Sequence, residues 1–270
     1  MTRAAPAPEH ICWSYDDPES FGRYARTFLH AGLSAGERVW YVPGRRSSGV
    51  TGWLLHAAPA WPDGAVRVFE PADVYAGDGT FDPVAQTARY ATATEDALTA
   101  GFTGLRVVAD ATALVRTRPR LDAFVRYEYA IGRYLRTAPL RALCVYDRTV
   151  LGEQALTELA CVHGRTNAGY VPFHLYAGRT AGDTVLAGEV DAASEDLFRT
   201  VLERAELRPF GGEVTVHAEG LTFITHRCML ALQRLAERRS LTVVIRTGLR
   251  TVAALAETLD LNRIRVETLG

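Results

Sequence analysis

Residues 105–147 read LRVVADATALVRTRPRLDAFVRYEYAIGRYLRTAPLRALCVYD. LRVVADATAL is a continuous apolar run of the kind found in parallel strands, which are buried on both faces. RLDAFVRYEYAIGRYL spaces its apolar and aromatic residues at helical intervals. LRALCVYD is a second buried strand. Strand, helix and strand at this spacing predict a crossover unit and an α/β fold with a mostly parallel sheet.

The same rhythm extends in both directions. Upstream, HICWSY reads as a strand. In DDPESF, Asp16 or Asp17 caps a helix, with Pro18 in its first turn and Glu19 near its positive end. Phe21, Tyr24, Phe28 and Leu29 mark that helix, and Gly32 and Gly36 break it. RVWYV is the next strand, PGRRSSG its loop, and VTGWLLHAA begins another helix. AVRVFE is a strand, Pro71 to Asp82 a loop, and DPVAQTARYATATEDALTAGF a long helix. Downstream come the helix LGEQALTELACVH and the strand AGYVPFHLYAG. The polar stretch GRTAGDT (178–184) predicts a boundary. Beyond it, VLAGEVD, EVTVHAEG, SLTVVIR and IRVET read as strands. EDLFRTVLERAEL, THRCMLALQRLAERR and TVAALAETLDL read as helices. The expected organisation is a tail at 1–9, a large α/β unit at 10–180 and a small one at 184–270.

Bulk properties exclude several classes. Net charge is −1 with a pI near 6.7, so no global field favours nucleic acid or anionic membrane. No basic stripe or helix-turn-helix segment suggests direct DNA binding. Every basic residue is Arg, which removes a Schiff-base or phosphate-loop lysine. No signal peptide opens the sequence, and no run approaches the roughly 20 apolar residues that span a bilayer. A cytoplasmic protein is expected. Cys12, Cys144, Cys161 and Cys228 lie far apart in apolar runs and read as buried free thiols. With no HxH, HExxH or paired-Cys spacing, neither metal nor cofactor is expected.

Candidate ligand-binding residues cluster where open parallel sheets bind ligands, beyond the carboxyl ends of strands. They are Tyr15, Asp16, Asp110, Tyr146 and Asp147. His10 opens the first strand, Glu128 lies mid-helix between two tyrosines, and His163 closes the helix after Asp147. A helix cap or a satisfied buried polar group is the plain alternative for each. The loop PGRRSSG retains Gly44 and Gly49 of a phosphate-binding loop but lacks GK[ST]; Arg45 and Arg46 remain as anion contacts. No GxSxG or GxGxxG motif names a reaction, so no catalytic residue is assigned.

HICWSYDDPESF, AGLSAGERVWYV, the helix around YEYAIGR and ALCVYDRTVLGEQALTELACVHG resemble the MEDS family, the DcmR-type sensory domain, over roughly residues 10–175. The resemblance implies a RecA/KaiC-like sheet flanked by helices, without nucleotide machinery. It also implies a sensor of small molecules such as hydrocarbon derivatives. Gly164 follows His163 where the family leads one to expect Pro. EVTVHAEGLTFITHRCMLALQRLAERRSLTVVIR resembles a STAS domain, the fold of anti-sigma-factor antagonists. Those carry Asp-Ser-Ser-Gly where this chain has Thr225, His226, Arg227 and Cys228. His226 replaces the phosphorylatable Ser, and Thr225 reads as a helix cap, so partner binding carries over and the phosphoswitch does not.

The leading expectation is a sensor and adaptor: a small-molecule ligand in the MEDS-like unit, and a protein partner such as an anti-sigma factor or kinase on the STAS-like unit. The partner surface would include Thr225, His226, Arg227 and Arg234. An enzyme using the His and carboxylate groups, a degenerate nucleotide-binding protein and a ligand-free interaction protein stay open, as does homodimerisation.

Overall fold

A computed structural model describes residues 9–46, 48–74, 81–180 and 182–269. The first sheet comprises β1 (His10–Tyr15), β2 (Arg38–Val42), β3 (Val66–Val68), β4 (Leu105–Asp110), β5 (Leu140–Asp147) and β6 (Arg165–Thr166). All its pairings are parallel, in the order β3-β2-β4-β5-β1-β6. Its helices are α1 (Pro18–Ser34), α2 (Ser48–Ala57), α3 (Pro71–Val74), α4 (Pro83–Thr99), α5 (Arg118–Leu135) and α6 (Glu153–Cys161). Pro71 thus opens a short helix inside the expected loop, and residues 75–80 of that loop lie outside the described residues.

Local chemistry sets the helix starts. Asp17, not Asp16, caps α1, accepting from the Glu19 and Ser20 amides with Pro18 behind it. Asp82 does the same for α4 through the Val84 and Ala85 amides.

Side chains alternate across a strand, and this divides the first unit into two cores. Ile11, Tyr15, Tyr41, Val108, Leu143 and Val145 face α1 and α2. Cys12, Trp40, Val42, Val107, Cys144 and Tyr146 face the opposite way, under α4, α5 and α6.

The second sheet contains β7 (Phe173–Ala177), β8 (Asp183–Val190), β9 (Glu213–His217), β10 (Leu221–Ile224), β11 (Thr242–Thr247) and β12 (Ile264–Thr268). Its order is β10-β8-β9-β11-β12, parallel throughout, with β7 antiparallel to β8. Helices α7 (Glu195–Arg204), α8 (His226–Arg238) and α9 (Arg250–Thr258) accompany it. This corrects one expectation: the strand of AGYVPFHLYAG belongs to the second sheet, and the polar stretch after it is the turn joining β7 to β8. Gly178 N–H donates to the Asp183 carbonyl there.

The two sheets share one core. Phe173, Leu175 and Phe198 are continuous with Phe124, Leu156 and Leu159. Across the junction, Arg204 of α7 donates to Glu158 of α6 at 2.5 Å and pairs with Asp122 of α5. Arg118 reaches the other Glu158 oxygen at 2.7 Å.

Candidate functional site

Four polar side chains converge beneath α5, on the α4–α6 face of the first sheet. His10 comes from the first residue of β1 and Cys144 from β5, Glu128 descends from α5, and His163 follows α6. The register aligns His10 with Ala142 and Cys12 with Cys144, so the His10 and Cys144 side chains leave the same face. His10 Nε2–H donates to Glu128 Oε2 at 2.9 Å. The Cys144 thiol lies 3.4 Å from the same oxygen and 3.5 Å from His10 Nε2. Tyr146 O–H donates to Glu128 Oε1 at 2.6 Å. His163 Nδ1–H donates to the Leu159 carbonyl at 2.8 Å, which fixes its tautomer. Its Nε2 is buried without a hydrogen-bond partner, 3.5 Å from Glu128 Oε2.

The protonation pattern follows from burial. Burial would raise the Glu128 pKa, but the hydrogen bond from His10 and the nearby His163 imidazole outweigh it and hold the carboxyl well below its usual range. Burial, then the neighbouring His163, push His10 down to about 4. Burial and the Glu128 carboxylate raise the Cys144 thiol and the Tyr146 phenol well above their ordinary values. Glu128 is therefore a carboxylate that accepts from the neutral Tyr146 phenol, the neutral Cys144 thiol and the neutral His10 imidazole. An apolar cavity of about 20 Å³ lies alongside, lined by Val107, Phe124, Ile131, Glu128 and Cys144. It is large enough for about one water-sized group.

The candidate ligand-binding residues fall into two clusters on opposite faces of the sheet. Tyr15 and Asp147 are partners in register and belong to the α1–α2 side. Tyr15 O–H donates to Asp110 Oδ2 at 2.9 Å, and Arg46 donates to Asp147 at 3.1 Å. Arg46 also binds the Asp16 carbonyl, while the Asp16 and Arg45 side chains are exposed. Burial, together with the nearby Asp147, raises the Asp110 pKa. Asp110 also lies so close to Gly44 that a Cβ there would sit 2.0 Å from its Oδ2. A carboxylate thus occupies the space beside the glycine loop, and Arg46 is already engaged. This geometry disfavours phosphate at the loop that the sequence offered for a degenerate nucleotide site.

Sequence reasoning missed Cys144, reading it only as a buried thiol. The signal was period-two alternation: Cys144 and Tyr146 share a face of β5, as His10 and Cys12 share one of β1. It also missed a groove of about 510 Å³ at the junction of the units, lined by Arg133, Tyr134, Arg179 and Arg208.

In the second unit, Thr225 caps α8, accepting from the Cys228 amide at 3.3 Å, and its hydroxyl donates to Glu195 at 3.2 Å. His226, Arg227 and Arg234 are exposed, and Arg227 lies 3.5 Å from Glu195. Phe223 is 49% exposed just before them, beside an open groove of about 430 Å³ against α9.

The molecule is an α/β unit with a parallel sheet and a closed polar cluster, joined to a second α/β unit with a mixed sheet. The family profile described as MEDS, the MEthanogen/methylotroph, DcmR Sensory domain, matches residues 9–164. The chain belongs to the MEDS family, which supports a regulatory sensor role. The match ends at Gly164, directly after His163, so all four residues of the cluster lie inside it. No curated protein matches the chain. Among the described residues, no helix is long and apolar enough to cross a membrane.

Proposed function

We propose that this protein is a sensor and adaptor. A small, weakly polar molecule, such as a simple hydrocarbon derivative, enters beside the His10–Glu128–Cys144–His163 cluster by widening the adjoining apolar cavity beyond its one-water size. The second unit, which we read as STAS-like, carries that state to a protein partner of the anti-sigma-factor or kinase type.

The observation that carries this reading is the way the cluster is tied to the second sheet. His174 of β7 donates from its Nδ1 to the His163 backbone carbonyl at 2.8 Å. Tyr129, next to Glu128 on α5, shares a 2.7 Å hydrogen bond with Thr184 of β8. The Gly164 Cα packs against the Tyr176 ring, where an added Cβ would lie 3.2 Å from the ring. Any ligand that displaces His163 or α5 therefore pulls directly on β7 and β8. A ligand shifts such an equilibrium only by its preference for one arrangement.

The output surface in this reading is the start of α8, with Phe223, His226, Arg227 and Arg234. Thr225 serves there as a cap, and His226 contributes an exposed imidazole where a phosphoswitch would need a hydroxyl. An acid–base enzyme fits less well. The His10 side chain is 8% exposed, and those of Glu128 and His163 are fully buried.

The test is a thermal-shift titration with simple and halogenated hydrocarbons, small organic acids and nucleotides. A ligand specific to the folded state raises the melting temperature in a saturable way. The reading expects such a shift from a small weakly polar compound, lost in Glu128→Gln. A shift produced by nucleotide alone, or a ligand shift unchanged in Glu128→Gln, overturns it.

A further inference from the structure

We infer that His10, Glu128, Cys144 and His163 form a binding site for a zinc-class divalent metal ion. The inference does not depend on the sensor reading, because metal content is measured without any organic ligand.

The geometry is that of a coordination shell. The four ligand atoms lie within 4.8 Å of one another. Four of the separations are 2.9, 3.4, 3.5 and 3.5 Å. Tetrahedral zinc has metal–nitrogen or metal–oxygen bonds near 2.0–2.1 Å and metal–sulfur bonds near 2.3 Å, so with one sulfur neighbouring ligand atoms sit about 3.3–3.6 Å apart. The other two separations are at most 4.8 Å, so an ion at the centre asks the side chains to close in by about an ångström or less, not for a new fold.

The surrounding hydrogen bonds point the same way. Ligating histidines typically give their second ring nitrogen to a carbonyl or carboxylate, which fixes the tautomer. His163 does this through Leu159, leaving its fully buried Nε2 without a hydrogen-bond partner. That nitrogen lies 3.5 Å from the carboxylate oxygen, the separation of two ligand atoms that share one ion. Tyr146 holds the far carboxylate oxygen and so orients the near one. Nitrogen, oxygen and thiolate ligands together suit zinc rather than magnesium or calcium.

The charge balance closes. A divalent ion entering the cluster displaces the Cys144 thiol proton to solvent. His10 retains its single proton, moved from Nε2 to Nδ1. The ion's two positive charges then meet one thiolate and one carboxylate, and the buried centre becomes neutral. Four protein ligands make a closed site, which would lock β1, β5, α5 and the segment after α6 together. The sequence hid this because its four ligands lie on separate elements, with none of the short spacings that usually mark zinc.

The experiment strips the full-length protein with a chelator and titrates it with Co²⁺, then competes the cobalt with Zn²⁺. The expected result is one ion per chain, with four-coordinate visible bands and a sulfur-to-cobalt charge-transfer band. Cys144→Ser abolishes the charge-transfer band. Tyr146→Phe, which leaves every ligand in place, weakens binding by about 10–100-fold. Cys161→Ser, outside the cluster, changes nothing. Circular dichroism checks each variant, and Tyr146→Phe serves if Cys144→Ser does not fold. A folded wild-type protein that shows no cobalt bands and holds no metal overturns the inference. So do bands that survive both Cys144→Ser and Tyr146→Phe unchanged.

Discussion

Arg204→Met tests whether the two sheets form one cooperative body. The Arg204 side chain is 4% exposed and that of Glu158 only 2%. Arg204 belongs to the second unit and Glu158 to the first. Methionine keeps most of the volume but leaves Glu158 with only Arg118, which is 49% exposed and therefore a screened partner. Breaking a buried ion pair from one side costs about 3–5 kcal/mol. The surviving Arg118 contact places this case near ~3 kcal/mol. At about 2–4 °C per kcal/mol for chains of this size, the melting temperature falls by roughly 6–12 °C. Adding Glu158→Gln removes the stranded charge, and most of the loss returns, because buried pairs are often neutral overall. The assay is urea unfolding followed by fluorescence and circular dichroism. A single transition is expected throughout, shifted in Arg204→Met and largely restored in the double variant. A loss below about 1 kcal/mol, or two separate transitions in the wild type, refutes the shared core.

Three further outcomes follow from the geometry. Gly44→Ala drives a methyl into Asp110 and costs about 1–3 kcal/mol, as overpacking does; Asp110→Ala in the same chain relieves it, and urea midpoints report both. Asp110 has a raised pKa, chiefly from burial, so the folded state binds more protons than the unfolded chain above the ordinary carboxylate pKa. Its contribution is therefore lost as pH rises above the ordinary carboxylate range, and Asp110→Asn gains on the wild type as pH rises from about 4; parallel stability profiles would contradict this. Thr225→Ala removes the α8 cap and costs about 0.5–2 kcal/mol, whereas Thr225→Ser costs little; equal losses in thermal melts would count against the cap.

The fold class was legible because parallel strands buried on both faces leave continuous apolar runs, as in RVWYV and LRVVAD, separated by capped helices. The assignment of β7 was not. Its polar turn looks like a linker, and only pairing with β8 shows that it is a hairpin. β10 was not read as a strand, because LTFI is too short for a period to emerge. Of the candidate residues read from the sequence, the structure brings His10, Glu128, Tyr146 and His163 together in one buried cluster. The sequence reading set them beside Tyr15, Asp110 and Asp147 without dividing the candidates between the two faces of the sheet. Alternation separates them: Tyr146 and Asp147 are adjacent in sequence and point to opposite faces. Cys144 stayed hidden because a lone thiol in an apolar run is ordinarily only packing.

The central claim is that the buried cluster and the second sheet move as one, and amide hydrogen exchange tests it most directly. Glu128→Gln preserves shape while weakening the hold on His10 and Tyr146. Exchange is followed in β7 and β8, residues 173–190, through the links from His163 to His174 and from Tyr129 to Thr184. The account predicts faster exchange in β7 and β8 of the variant, with β11 and β12 unchanged. Faster exchange confined to α5 and the first sheet, with β7 and β8 as protected as in the wild type, would contradict it.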